Sequence, residues 1–175
     1  MSEKDILTLL KKKNFIEAKN LIISLLGREK TNLKYNFYYG LILAQERNFE
    51  EAIKFFLIFI ESNKRDYDAN FNLASCYLGS LNFKKALEYY EFCAGLKPDK
   101  HEPYHQIGVC YRLVREYEKS ILNLNKALDI KANPHTYYIL GSVFRENGQF
   151  EDARKSFNLS IKMNDNFMDS KLSLA

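Results

Sequence analysis

The feature that most constrains this chain is a repeat. An aromatic residue stands three positions before a small one at Phe15/Ala18, Phe49/Ala52, Phe83/Ala86, Tyr117/Ser120 and Phe150/Ala153, with the aromatics separated by 34, 34, 34 and 33 residues. A second series keeps the same register: Tyr39-Gly40, Leu73-Ala74, Ile107-Gly108 and Leu140-Gly141, followed three residues after the small one by Leu43, Tyr77, Tyr111 and Phe144. Two independent series with one period in this range mark an array of supersecondary units, each too small to bury its own apolar face and each covered by its neighbours.

Within a period the apolar residues recur at i, i+3, i+4 and i+7, and Asn, Gly or a charged residue interrupts the pattern midway, so each unit reads as two helices of about 14 residues forming an αα-hairpin. The small residue of the first helix (Gly40, Ala74, Gly108, Gly141) and the Ala or Ser of the second let the two backbones approach. One turn further on, Phe56, Tyr90, Leu124 and Phe157 are placed to bury against the next hairpin. Pro98, Pro103 and Pro134 all fall at or beside helix ends, where a missing N–H costs nothing.

With an aromatic, Leu-Gly, Tyr, then Ala, an aromatic and Pro at these spacings, the chain resembles the tetratricopeptide repeat family. The best unit is 67–100, with Leu73, Ala74, Tyr77, Phe83, Ala86, Tyr90 and Pro98 in place. The resemblance implies an all-α tetratricopeptide-repeat solenoid, a right-handed superhelix of stacked antiparallel helix pairs. Its expected units are 1–32, 33–66, 67–100, 101–133 and 134–167 within a single array over 1–175. Residues 168–175 would open a further unit or form a short terminal helix, the former implying a fragment of a longer protein. Departures are Ile6 for Gly in the first unit, Ser120 for Ala, and a fourth unit one residue short.

Composition narrows the function. The net charge of +4 arises from 26 basic and 22 acidic residues scattered along the chain, unlike the concentrated footprint that phosphate backbones require, so nucleic acid is not expected as a partner. The longest apolar run, Phe55 to Ile60, is far too short to cross a bilayer, and no membrane association is expected. Cys76, Cys93 and Cys110 form no C-x-x-C pair and read as core residues of a reduced, cytoplasmic protein.

Catalytic motifs are sparse. His101-Glu102-Pro103-Tyr104-His105 fits the H-E-x-x-H zinc pattern, but it contains a proline and falls in the first turn of a repeat helix, so no metal ligand and no cofactor are assigned. Phosphate-loop, dinucleotide and nucleophile-elbow signatures do not occur, and these residues are read as non-catalytic.

In the family the resemblance names, first helices line a concave groove. The fifth residues of successive units are Phe37, Phe71, His105 and Tyr138, a ladder of flat rings, with Tyr38, Asn72, Gln106 and Ile139 beside them, Leu41, Ser75, Val109 and Ser142 one turn on, then Arg112 and Arg145. Rings offer apolar contact at low entropic cost, carboxamides bond a peptide backbone, and Arg holds a carboxylate. The expected partner-binding set is therefore Phe37, Tyr38, Phe71, Asn72, His105, Gln106, Arg112, Tyr138 and Arg145. Of the clamp by which some family members hold acidic chaperone tails only Asn72 matches: Phe37 and Leu41 stand where Lys and Asn belong, and Glu102 and Gln106 where Lys and Arg belong, so that partner is not expected.

The second helix around Phe55 to Ile60 is apolar on all sides, so Leu57 and Ile58, with Phe92 in the next unit, could form a convex contact patch or a dimer seam. The expected function is a scaffold for a protein or peptide partner. The alternative is the substrate-recognition region of a larger bacterial glycosyltransferase or sulfotransferase.

Overall fold

The computed structural model describes residues 3–28 and 32–163. Among the described residues the chain forms ten α-helices and no strand: α1 (Glu3–Lys11), α2 (Phe15–Arg28), α3 (Leu33–Gln45), α4 (Phe49–Ser62), α5 (Tyr67–Gly79), α6 (Phe83–Leu96), α7 (His101–Leu113), α8 (Tyr117–Ile130), α9 (Pro134–Glu146) and α10 (Phe150–Met163). The segment 168–175, read from sequence as the start of a further unit, lies outside the described residues.

Local chemistry sets the helix starts. Asn32 accepts from the Lys34 amide at 3.3 Å, Asp66 from the Ala69 amide at 2.8 Å, and Asn133 from the His135 amide at 2.8 Å, each satisfying a backbone donor that the first helical turn leaves open. Pro134 occupies the first position of α9, where no amide hydrogen is needed.

The turn inside every pair is built on one left-handed residue. Lys13, Arg47, Leu81 and Arg115 have φ of 56°, 61°, 62° and 62°, and Gly148 takes the fifth place at 76°. Around this residue the turn closes with the same bonds each time. Asn48 donates to the Leu43 carbonyl at 2.9 Å, Asn82 to Tyr77 at 2.8 Å, and Glu116 to Tyr111 at 2.9 Å. Only the fifth turn uses the residue that adopts this conformation without steric cost.

By compactness the chain divides into two units, Met1–Tyr89 and Tyr90–Ala175, with the boundary inside α6. In the first, the core is Ile6, Ala18, Leu21, Ile22, Leu25, Tyr35 and Ile42. Here α3 packs on α4, and α4 on α5. A Cβ on Gly79 would lie 2.6 Å from the Phe49 ring, so the end of α5 needs glycine for that ring to seat.

In the second unit α7 packs on α8, α8 on α9 and α9 on α10 around Leu124, Ile139, Leu140 and Val143. The small residue of each first helix does what its position in the repeat requires. A Cβ on Gly141 would come within 2.7 Å of the Phe157 ring. Ser120 is fully buried and donates to the Gly108 carbonyl at 2.7 Å, so the hydroxyl that replaces the usual Ala staples α8 to α7. Phe150, by contrast, is 70% exposed although its counterparts Phe15, Phe49, Phe83 and Tyr117 are half-buried. Phe49 packs on the helix that follows its pair, at Gly79, whereas α10, which carries Phe150, is the last described helix.

Candidate functional site

The first helices of the first unit bring an uncharged cleft together. It holds about 340 Å³ and is lined by Leu10 of α1, Phe15 of α2, Leu41, Ala44 and Gln45 of α3, Phe49 of α4, and Asn72, Ser75 and Cys76 of α5. The left-handed turns make this possible. Lys13 reverses the chain between Leu10 and Phe15, and Arg47 does so between Gln45 and Phe49, so each turn delivers two lining residues from opposite directions. Asn72 donates one amide hydrogen to the Asp68 carbonyl at 2.7 Å, which fixes its carboxamide along α5. Burial holds the Cys76 thiol protonated, its pKa pushed up to about 12, so the sulfur is an inert wall and not a nucleophile.

Of the residues expected on this face, Asn72, Leu41 and Ser75 line the cleft, but the rings do not. Phe37 lies against Phe59 at 5.2 Å and Phe56 at 5.9 Å between centroids, inside its own pair. Phe71 stacks on Tyr67 at 5.9 Å. The Tyr38 hydroxyl donates to Glu3 at 2.7 Å, and Lys34 reaches the same carboxylate at 3.2 Å. Burial first, and then this bond, raise the Tyr38 pKa to about 12, while the donated bond holds Glu3 below the ordinary carboxylate range. Tyr38 therefore ties α3 to α1.

In the second unit the corresponding positions are also committed. His105 is buried, its Nδ1 lies 3.0 Å from the Thr136 hydroxyl, and its ring is 5.3 Å from that of His135. Burial, followed by repulsion from His135 and His101, depresses its pKa to about 4, so the imidazole is neutral at physiological pH. The ring series on this face runs through His135, which is exposed and stacks on Tyr138 at 6.4 Å, and Tyr138 in turn packs on Phe157 at 5.8 Å. From sequence His135 is expected near His105 on the same face of the next pair, as found, but it stands outside the ladder because it precedes the Tyr138 position by three residues, one helical turn.

Arg112 donates through Nε to both Glu146 carboxylate oxygens at 3.1 Å, joining α7 to α9, and the Arg145 guanidinium lies 5.7 Å from the Phe157 ring. Gln106 is half-buried on α7. On the second helices Ile58 and Phe92 are 40% and 43% exposed, while Leu57 is half-buried. Among the described residues, no three His, Cys, Asp or Glu side chains converge as a metal ion would require, and His101 and Glu102 stand 3.7 Å apart at the start of α7. No helix among them is long and apolar enough to cross a membrane.

Residues 40–99 match the tetratricopeptide repeat model, and residues 86–171 match that of the Est1 DNA/RNA binding domain. No curated protein sequence matches the chain. Among solved structures, MamA from Desulfovibrio magneticus RS-1 is similar with a TM-score of 0.86 at 18% identity, over 94% of this chain and 93% of that one. TTC0263, a thermophilic TPR protein of Thermus thermophilus, is similar with a TM-score of 0.75 at 14% identity, over 98% of this chain and 94% of that one. YrrB, described as a TPR protein with an unusual peptide-binding site, gives 0.80 at 14% identity over 96% and 87% of the two chains. The helix pairs, the period that relates them and the match over residues 40–99 agree: the chain has the fold of the tetratricopeptide repeat proteins.

Proposed function

We propose that this protein is a non-catalytic scaffold that holds a protein or peptide partner on the face formed by its first helices. The observation that carries this reading is the cleft of the first unit, where side chains of consecutive first helices stand together with apolar walls and two carboxamides, Gln45 and Asn72. A carboxamide offers the same donor and acceptor as a peptide bond and pairs with an extended backbone without charge. In the first unit Asn72 meets the partner, with the Phe37 ring packed behind it on α4, and in the second unit Gln106, His135 and Arg145 do so, with the Tyr138 ring packed behind them on α10. The reading places the protein in the cytoplasm, with its cysteines reduced.

The Est1 match makes nucleic acid the competing partner. Residues 86–171 contain as many acidic as basic side chains, so the segment has no net positive charge to favour backbone phosphates. The transferase alternative would use the same face to select a substrate.

The test is capture of partners by the wild-type chain, by Asn72→Arg with Gln106→Arg, and by Ile58→Asp with Phe92→Asp, each checked for helicity. Partners retained by the second-helix variant and lost by the first-helix variant support the reading. The reverse result moves the interface to the second helices, and salt-sensitive binding of single-stranded RNA by the wild type would replace a protein partner with a nucleic acid.

A further inference from the structure

We infer that the cleft of the first unit takes a single bulky, uncharged side chain of a peptide, leucine, methionine or phenylalanine in kind, whose neighbours in the peptide are acidic. This deepens the scaffold reading and rests on it. The argument begins with the lining. Leu10, Phe15, Leu41, Ala44, Phe49 and Cys76 supply walls without charge, and Gln45, Asn72 and Ser75 supply neutral polar groups. A carboxylate or ammonium entering here would lose its hydration and meet no counter-charge, a penalty of several kcal/mol for an unpaired ion. A volume of about 340 Å³ lies at the lower end of the range for ligand pockets, enough for one large side chain and the main chain that carries it.

The flanks have the opposite character. The residues that lead from Leu10 into the first turn are Lys11, Lys12 and Lys13, all exposed, and Arg47 stands exposed in the turn between Gln45 and Phe49. In the second turn Glu46 is taken up by Lys19 at 2.7 Å and Arg47 stands close in sequence to Glu50 and Glu51 at the start of α4, so the positive excess lies at the first turn, where three lysines stand against Glu17. A neutral, apolar floor beside a basic turn selects an apolar anchor with acidic residues next to it. Attraction at that turn speeds encounter, and exclusion of charge from the cleft sets register.

Display of a random peptide library on the full chain tests this directly. The expected outcome is enrichment of peptides with one Leu, Met or Phe next to Asp or Glu. Their binding, followed by fluorescence anisotropy, should weaken at least tenfold with Ala44→Phe, which fills the cleft, and severalfold between 50 and 500 mM salt. Leu41→Lys provides a second route should Ala44→Phe unfold, because it should reject the same peptides and accept one with Glu at the anchor. Enriched peptides that ignore both substitutions, or that carry a charged anchor, overturn the inference and leave the scaffold reading standing. A library that yields no binder at all, while lysate capture still depends on the first-helix face, overturns the peptide anchor in favour of a folded partner. Failure of both experiments overturns the scaffold reading itself.

Discussion

At the scale of single residues, two positions work against the stability of the fold. Leu81 adopts φ of 62° and is 72% exposed, so it holds a left-handed backbone without contributing burial. An L residue in that region carries about 1 kcal/mol of steric cost that glycine avoids, and the gain exceeds the extra chain entropy glycine brings to the unfolded state. Leu81→Gly should therefore raise stability by about 0.5 to 1 kcal/mol in urea denaturation, with an unchanged m-value. His105 is the second. Its pKa falls from the ordinary 6.5 to about 4 on folding, so protonation favours the unfolded chain as pH drops below 6.5, and the loss is complete near pH 4. Denaturant midpoints measured from pH 7 to 4 should decline by an amount equivalent to about 3 kcal/mol at most, and His105→Phe should flatten that decline. Neither position could be read from sequence. The left-handed turn was visible only as a break in helical periodicity, and His105 appeared as a surface ring because the repeat places aromatics there without saying which way each is packed.

At the scale of helices and pairs the sequence was far more legible. The starts of α3, α5, α7 and α9 follow from apolar period, capping residues and Pro134, and the close approach within pairs follows from Gly40, Gly108 and Gly141. What periodicity cannot specify is which of two half-buried faces a side chain joins. Phe37 and Tyr138 sit on the first-helix face in register, yet their rings turn back on Phe56 and Phe157. Those two rings therefore pack against their own second helices, while Leu41, Asn72 and Ser75 line the cleft. The approach at Gly141 gives this scale its prediction. The Phe157 ring is 1% exposed and cannot retreat from a new Cβ placed 2.7 Å away, so Gly141→Ala should cost about 1 to 3 kcal/mol in thermal denaturation despite its better helix propensity. The ion pair of Arg112 with Glu146 should matter less. A double-mutant cycle on this partly exposed pair should return a coupling of about 0.5 to 1 kcal/mol that fades with salt.

For the molecule as a whole, repeat architecture makes stability nearly a sum of pair and nearest-neighbour terms, and the chain already divides into two compact units. Damage should consequently stay local. In hydrogen exchange, Gly141→Ala should lower protection of amides in α9 and α10 first and leave that of α2 to α4 close to wild type, whereas a uniform loss would mean that the chain unfolds as one body. The same locality lets the first-helix face change without endangering distant pairs. The four non-glycine left-handed turns add to this freedom in evolutionary terms. Each is a position where one codon change to glycine or asparagine returns about as much stability as a typical surface substitution removes, so a lineage can reshape the cleft and recover the loss in its own turns.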